Sequence, residues 1–210
     1  KTSKKEIVMN KDFELNDTSN SSKIIISLKN VYFSYHNENN YTLEDINLGI
    51  EKGTFVGVTG ETGAGKSTLF HIMLGLLQPN SGNLFFKNKN IYANIENWRN
   101  QVGYVAQNIY LIDDTIGKNI TFDFLEEKID KQKMDFAINM SCLDQKINEL
   151  PDGLNTKVGN DGIKLSGGER QRIALARTIY RNPDIFFMDE FTSALDSITE
   201  QKIIKNIREN

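Results

Sequence analysis

Residues 54–70 read TFVGVTGETGAGKSTLF, and the fold turns on them. A β-branched, apolar run up to Thr59 gives way to a glycine-rich turn and then to Lys66, Ser67 and Thr68 ahead of further apolar residues. The turn satisfies G-x-x-x-x-G-K-[ST], and its setting between a strand and a helix is the one in which that pattern cradles phosphate. Gly60, Gly63 and Gly65 let backbone N–H groups approach phosphate oxygens with no Cβ in the way, and a helix opening near Lys66 adds the positive end of its dipole, worth up to about 2 kcal/mol. Lys66 brings a full charge to the β and γ phosphates, and the Ser67 hydroxyl is placed to ligate magnesium. Glu61, Thr62, Ala64 and Thr68 complete the nucleotide-binding turn. The plain alternative is a strand-to-helix turn that binds nothing. Kinases, GTPases and ATPases share this device, so the pattern implies nucleotide binding without choosing the reaction.

On either side of the turn, IIISLKNVYFSY and EDINLGI precede it as strands, and TLFHIMLGLLQPNSG follows it as a helix running to Pro79, with a turn at Ser81-Gly82. NLFFKNKNIY predicts a short hairpin, NIENWRN a helical turn and QVGYVAQ a buried strand. Helical spacing recurs over Ile129–Cys142, Leu143–Leu150 and GGERQRIALARTIYRN, and PDIFFMDE is a buried strand with a charged tip. Strands alternating with helices predict an α/β domain with a largely parallel sheet. Residues 1–23 are polar and read as a linker or arm ahead of a domain over 24–210.

The chain has 210 residues, 25% of them charged, and a net charge of only −3, so it lacks the strongly basic balance expected of a nucleic-acid surface. Cys142 is the only cysteine, which excludes an internal disulfide, and no run of residues has the roughly 18 to 20 apolar positions of a membrane span. The start at Lys1 and the stop within an apparent helical pattern mark the sequence as part of a longer polypeptide, truncated at its C-terminal end.

Two further stretches carry chemistry. In IFFMDEFTSALD the apolar residues Ile185 to Met188 bring Asp189 and Glu190 to the C-terminal end of a strand, where ligands bind in parallel sheets. Asp189 is the candidate for the magnesium shell, and Glu190 for accepting a proton from an attacking water. In LSGGERQR, Ser166 and two glycines open an arginine-studded helix, which looks like a second phosphate cradle. One domain has little use for two helix starts aimed at one γ-phosphate, so the second suits another molecule's nucleotide. A helix capped by Ser166 on its own backbone is the structural alternative.

The P-loop, LSGGERQR, FFMDE and SALD, in this order, resemble the nucleotide-binding domain of an ABC (ATP-binding cassette) protein. The resemblance covers Ile24 to the end. It implies a P-loop NTPase, RecA-like core with an N-terminal antiparallel β subdomain and an α-helical signature subdomain over about 112–172. It also implies ATP and Mg2+ as ligands and a head-to-tail dimer, each ATP lying between one P-loop and the partner's signature. Leu165, Ser166, Gly167, Gly168 and Glu169 would then face the partner's ATP. By the same resemblance Tyr35 stacks on adenine, worth about 1 to 3 kcal/mol, with Tyr32 as the substitute. Gln107 senses magnesium and water and links the site to a membrane partner, and Asp196 crosses the dimer interface.

The stretch between Lys66 and Asp189 leaves room for a compact helical subdomain and none for a long coiled coil, which weighs against chromosome and DNA-repair ATPases. DGLNTKVGNDGIKLSGG and QNIYLIDDTIGKNITF resemble ABC exporters whose permease and ATPase share a chain, closest to lipid or lipid-linked sugar flippases. Asn160 stands where that stretch usually has an acidic residue. The implied setting is the cytoplasmic face of a bacterial inner membrane, with transmembrane domains as partners and no nucleic acid. Neither His36 nor His71 matches the family's switch histidine, which predicts weak hydrolysis by these residues alone. A soluble ABC translation factor, a separate-chain transporter subunit and a catalytically silent nucleotide module are the alternatives.

Overall fold

The computed structural model describes residues 8–9, 23–36, 40–122, 129–159, 162 and 164–209. The chain divides into two units, 1–100 and 101–210. The first contains β1 (Val8–Met9), β2 (Ile24–Phe33), β3 (Leu43–Glu51), β4 (Val58–Thr59), α1 (Lys66–Met73), β5 (Ser81–Phe86) and β6 (Lys89–Asn90), and α2 (Ile95–Gln101) stands at the division.

An antiparallel sheet in the order β3-β2-β5-β6 organises the first unit. Along β2 the buried residues are Ile26, Leu28, Val31 and Phe33, so the alternation slips by one residue between Leu28 and Val31. A bulge there absorbs the slip and returns the apolar side chains to the core face. Asn30 takes a left-handed conformation in it, its N–H donating to Asn47 Oδ1 at 2.9 Å and its amide to Asp45 Oδ1 at 3.0 Å. The predicted hairpin is present, and Lys87 and Asn88 both have positive φ, as a two-residue type I′ turn requires.

Two expectations fail in this unit. The helix α1 stops at Met73, well before Pro79, because Gly75 adopts φ 70° and the N–H groups of Leu76 and Leu77 return to His71 O. Ser81 and Gly82 accordingly belong to β5. The strand ahead of the P-loop shrinks to Val58 and Thr59, which pair antiparallel with Met9 and Val8, while Phe55 and Val56 lie 49% and 41% exposed. The rest of the predicted polar arm lies outside the described residues, Lys23 apart.

The second unit holds β7 (Val102–Val105), α3 (Ile116–Thr121), α4 (Lys131–Met140), α5 (Asp144–Glu149), α6 (Gly167–Tyr180), β8 (Ile185–Met188) and α7 (Ser197–Glu209). Among the described strands, parallel pairing is confined to β7 and β8, in register from Val102 opposite Ile185 to Val105 opposite Met188. The expected largely parallel sheet is therefore met in this pair alone, and the larger sheet is antiparallel. The core lies around α6, with Ile173, Leu175 and Ala176 packed among Ile120, Met134 and Ile203. Its close fit to β7 depends on Gly103, where a Cβ would meet Thr178 Cγ2 at 2.5 Å and Pro183 Cγ at 2.6 Å. The predicted break between α4 and α5 is made by Ser141, whose hydroxyl donates back to Ala137 O, and by Cys142 at φ 55°. Among the described residues no helix is long and apolar enough to cross a membrane.

Candidate nucleotide site and signature turn

In the first unit the P-loop runs from Gly60 into α1, whose N-cap is Gly65 at φ 94°. A Cβ at Gly65 would lie 2.9 Å from Leu43 Cδ2 and 3.0 Å from Thr42 O, so the position demands glycine both for space and for its backbone. No side chain caps α1, which keeps the start of the helix open to an external acceptor. Lys66 arches over the loop and donates to Gly60 O at 2.7 Å and Glu61 O at 2.8 Å. Ser67 is exposed, whereas Thr68 is buried, with its hydroxyl 3.1 Å from that of Tyr35. That contact ties the candidate stacking ring to the P-loop helix. The Tyr35 ring is 42% exposed and stands edge-on to Phe33, centroids 4.9 Å apart. Tyr32, the substitute, pairs instead with Tyr41.

In the second unit, Asp189 and Glu190 follow β8 as expected, and the Asp189 N–H extends the parallel ladder to Val105 O at 3.0 Å. Glu190 is exposed and has φ 46°, a left-handed conformation that is uncommon for a residue with a Cβ, two residues past the end of β8. The Gln107 amide donates to Glu190 Oε2, joining positions 83 residues apart. Tyr104, on β7, hydrogen-bonds to Asp189; burial first, then the Asp189 charge and that bond, raise its phenol above the ordinary value. Tyr104 is absent from the sequence-derived set, since one aromatic in a buried strand carries no signal of its neighbour.

The signature turn begins α6. Ser166 is its N-cap: the hydroxyl accepts from Glu169 N at 3.2 Å while Glu169 Oε2 accepts from Ser166 N at 2.7 Å, a reciprocal capping box. Leu165 is buried beneath it. The glycines serve packing as well, because a Cβ on Gly168 would sit 2.8 Å from Ala194 O and one on Gly167 3.1 Å from Ala194 Cβ. The SALD segment thus lies directly on the helix start. Gln171 secures it, donating to Ser193 Oγ at 3.0 Å and accepting from Ala194 N at 3.2 Å. Asp196 then caps α7 through the N–H groups of Thr199 and Ile198, and the Thr199 bonds, ahead of the others, hold its carboxyl below the usual value.

The arginines that stud α6 reach backbone carbonyls. Arg170 donates to Leu165 O, Arg172 to Cys142 O, and Arg177 to Asn119 O and Tyr110 O. All three fasten carbonyls of their own unit. The segment after Gln107 is held further by pairing with the TKV stretch: Ile116 N donates to Thr156 O, and Val158 N to Asp114 O. The two stretches whose sequences resemble exporters therefore lie side by side in this unit, although Asn160 lies outside the described residues.

A family model described as ABC transporter matches residues 43–193. The chain belongs to the ABC transporter family. It is 41% identical over 190 residues to an ATP-dependent lipid A-core flippase of Wigglesworthia glossinidia brevipalpis, covering 88% of this chain and 32% of that protein. Against an export ATP-binding/permease protein of Rickettsia prowazekii it is 37% identical over 207 residues, covering 98% of this chain and 35% of that protein. A solved structure of a bacterial Atm1-family ABC exporter with ATP bound superposes with a TM-score of 0.79 at 31% identity, over 95% of this chain and 36% of that one. This ABC domain thus spans about a third of the length of the relatives it matches, and those relatives are of exporter type. The fold is that of an ABC nucleotide-binding domain, and the family's general activity is ATP binding and hydrolysis.

Proposed function

We propose that this domain binds Mg-ATP, pairs head to tail with a second copy and hydrolyses the ATP to drive export or flipping of a substrate across a bacterial inner membrane. Transmembrane domains, in the same polypeptide, would make the path, and the ATP-binding domain would work at the cytoplasmic face. The observation that carries this is the junction of Gln107 with Glu190 at the end of β8, next to an Asp189 held by Tyr104. A carboxylate kept exposed, just past its strand, and paired with an amide suits a group that must orient and deprotonate water.

Lys66 neutralises charge on the terminal phosphates, the backbone amides of Gly60 to Ser67 cradle them, and Tyr35 stacks on the base. By the family resemblance Ser67 of the first unit and Asp189 and Gln107 of the second are the residues that would hold magnesium, and each is an oxygen donor of the kind that ion takes. Bound there, it would offset charge on the transferring phosphoryl group. Glu190 takes the proton as water oxygen bonds to the γ-phosphorus, and the bond from that phosphorus to the β,γ-bridging oxygen breaks, leaving ADP and phosphate. Ser166, Gly167 and Gly168 close on the partner's nucleotide, with Asp196 beside them across the dimer interface. ATP that binds the closed pair better than the open one supplies the motion, and hydrolysis reverses it.

The test is ATP turnover by the full polypeptide that contains this chain. Glu190→Gln is expected to bind ATP while kcat falls about 10²- to 10⁴-fold, the range for losing a general base. Turnover by Glu190→Gln at the wild-type rate overturns the assignment. Lys66→Ala serves as the control that loses nucleotide binding.

A further inference from the structure

The capping carboxylate of the signature turn creates an electrostatic difficulty. Glu169 is the third residue of α6, where its negative charge suits the helix dipole but stands close to the place proposed for a partner's γ-phosphate. The structure supplies a counter-charge from outside the motif. Lys146, on α5, lies 2.8 Å from Glu169 Oε1, and the two side chains retain only 30% and 14% exposure. Glu169 is thereby engaged at both oxygens: Oε1 by Lys146 and Oε2 by the Ser166 N–H. A second attachment, from Arg172 to Cys142 O at 2.8 Å just ahead of α5, fastens the same region to the next turn of α6.

We propose that Lys146 is a positioning residue for the signature turn: by holding the Glu169 carboxylate it fixes the Ser166 backbone and cancels the negative charge that would otherwise face an incoming nucleoside triphosphate. This rests on the function proposed above, in which Ser166 meets the ATP of a second copy. Two consequences separate it from a merely structural ion pair. Removing the lysine leaves an unpaired carboxylate whose repulsion of phosphate weakens as salt shortens the screening length to about 8 to 10 Å or less. Removing the carboxylate's charge as well, while keeping an acceptor for Ser166 N–H, relieves the repulsion.

The experiment measures kcat and KM for ATP hydrolysis by the full polypeptide across a salt series, with thermal melting as the folding check. Lys146→Met is expected to raise KM about threefold to fivefold at low salt, the scale of a partly exposed charge pair, and the increase shrinks as salt rises. Lys146→Arg recovers the wild-type KM, and adding Glu169→Gln to Lys146→Met lowers the raised KM and flattens its salt dependence. A wild-type KM and salt profile for Lys146→Met overturns the inference, as does a defect that Glu169→Gln fails to relieve. Should Lys146→Met not fold, Lys146→Gln, which keeps a donor and drops the charge, takes its place, and the same results uphold or overturn the inference. Glu190→Gln, assayed alongside, keeps the outcomes apart: its loss of turnover upholds the ATPase assignment even when Lys146 proves inert, and its retained turnover removes that assignment.

Discussion

Arg177 shows how much one residue of a familiar motif does away from the motif's chemistry. Its guanidinium donates to Asn119 O at 2.8 Å, to Tyr110 O at 3.1 Å and to Asn119 Oδ1 at 3.4 Å, and lies 4.1 Å from the centre of the Phe122 ring. Burial draws its pKa down to about 10, which still leaves it charged at neutral pH. Asn119 is fully buried and spends its own amide on Ile112 O and Thr115 O, so cation and amide together tie the stretch after Gln107 to α6. A lysine cannot reproduce the fork. Arg177→Lys is therefore expected to destabilise the domain by about 2 kcal/mol and Arg177→Met by about 3 kcal/mol, from the loss of charged hydrogen bonds to the Asn119 and Tyr110 carbonyls. Urea denaturation of the chain reads both, and unchanged midpoints would show the fork to be idle. The sequence could not reveal this, because an arginine in an ABC signature helix looks the same whether it meets a phosphate or a carbonyl.

Among the helices and strands, the parts that were legible are those whose local chemistry has one solution. The Lys87-Asn88 turn, the strand β8 with its acidic tip and the helix α6 with its Ser166 cap all follow from short-range signals. The P-loop strand is the opposite case, since an apolar run announces burial but not the neighbour that provides it, and only Val58 and Thr59 pair. The helix α3 was illegible as an element until Thr115 was seen to cap it through Lys118 N. Helix-against-strand distances are equally silent in sequence, and Gly103 is where one of them is set. Gly103→Ala places a methyl 2.5 Å from Thr178 Cγ2 and 2.6 Å from the Pro183 ring, so β7 must move off α6. A loss of about 1 to 3 kcal/mol is expected from such overpacking. Because β7 also carries Tyr104, the same variant should slow ATP turnover beyond what its melting temperature explains, and equal turnover per folded molecule would count against a tight coupling of β7 to Asp189.

For the whole chain, shifted groups act at both ends of the pH scale. In the second unit, burial works to raise the Glu169 carboxyl, but the Lys146 bond, the Ser166 N–H and the Lys146 charge together hold it below its ordinary value, and Asp196 is also lowered. Lowered carboxyls give stability that is present above their unfolded pKa values and is lost as pH falls through the folded ones. In the first unit Tyr92 donates to Leu77 O at 2.8 Å, and burial raises its pKa from 10.0 to about 12. The sign is the reverse there: the unfolded chain releases the phenolic proton first, so the contribution is complete below pH 10.0 and drains away up to about 12. With the ring partly open to solvent, this is worth on the order of 1 kcal/mol. Tyr92→Phe is expected to cost about 1 kcal/mol at neutral pH through the lost hydrogen bond, and to remove that part of the alkaline decline. Denaturation midpoints of the two proteins should therefore converge between pH 10.0 and about 12. If the gap between them stays constant across that window, the phenol keeps its ordinary pKa in the folded chain and the alkaline loss belongs to other groups, Lys146 first among them because its bond to Glu169 raises it too.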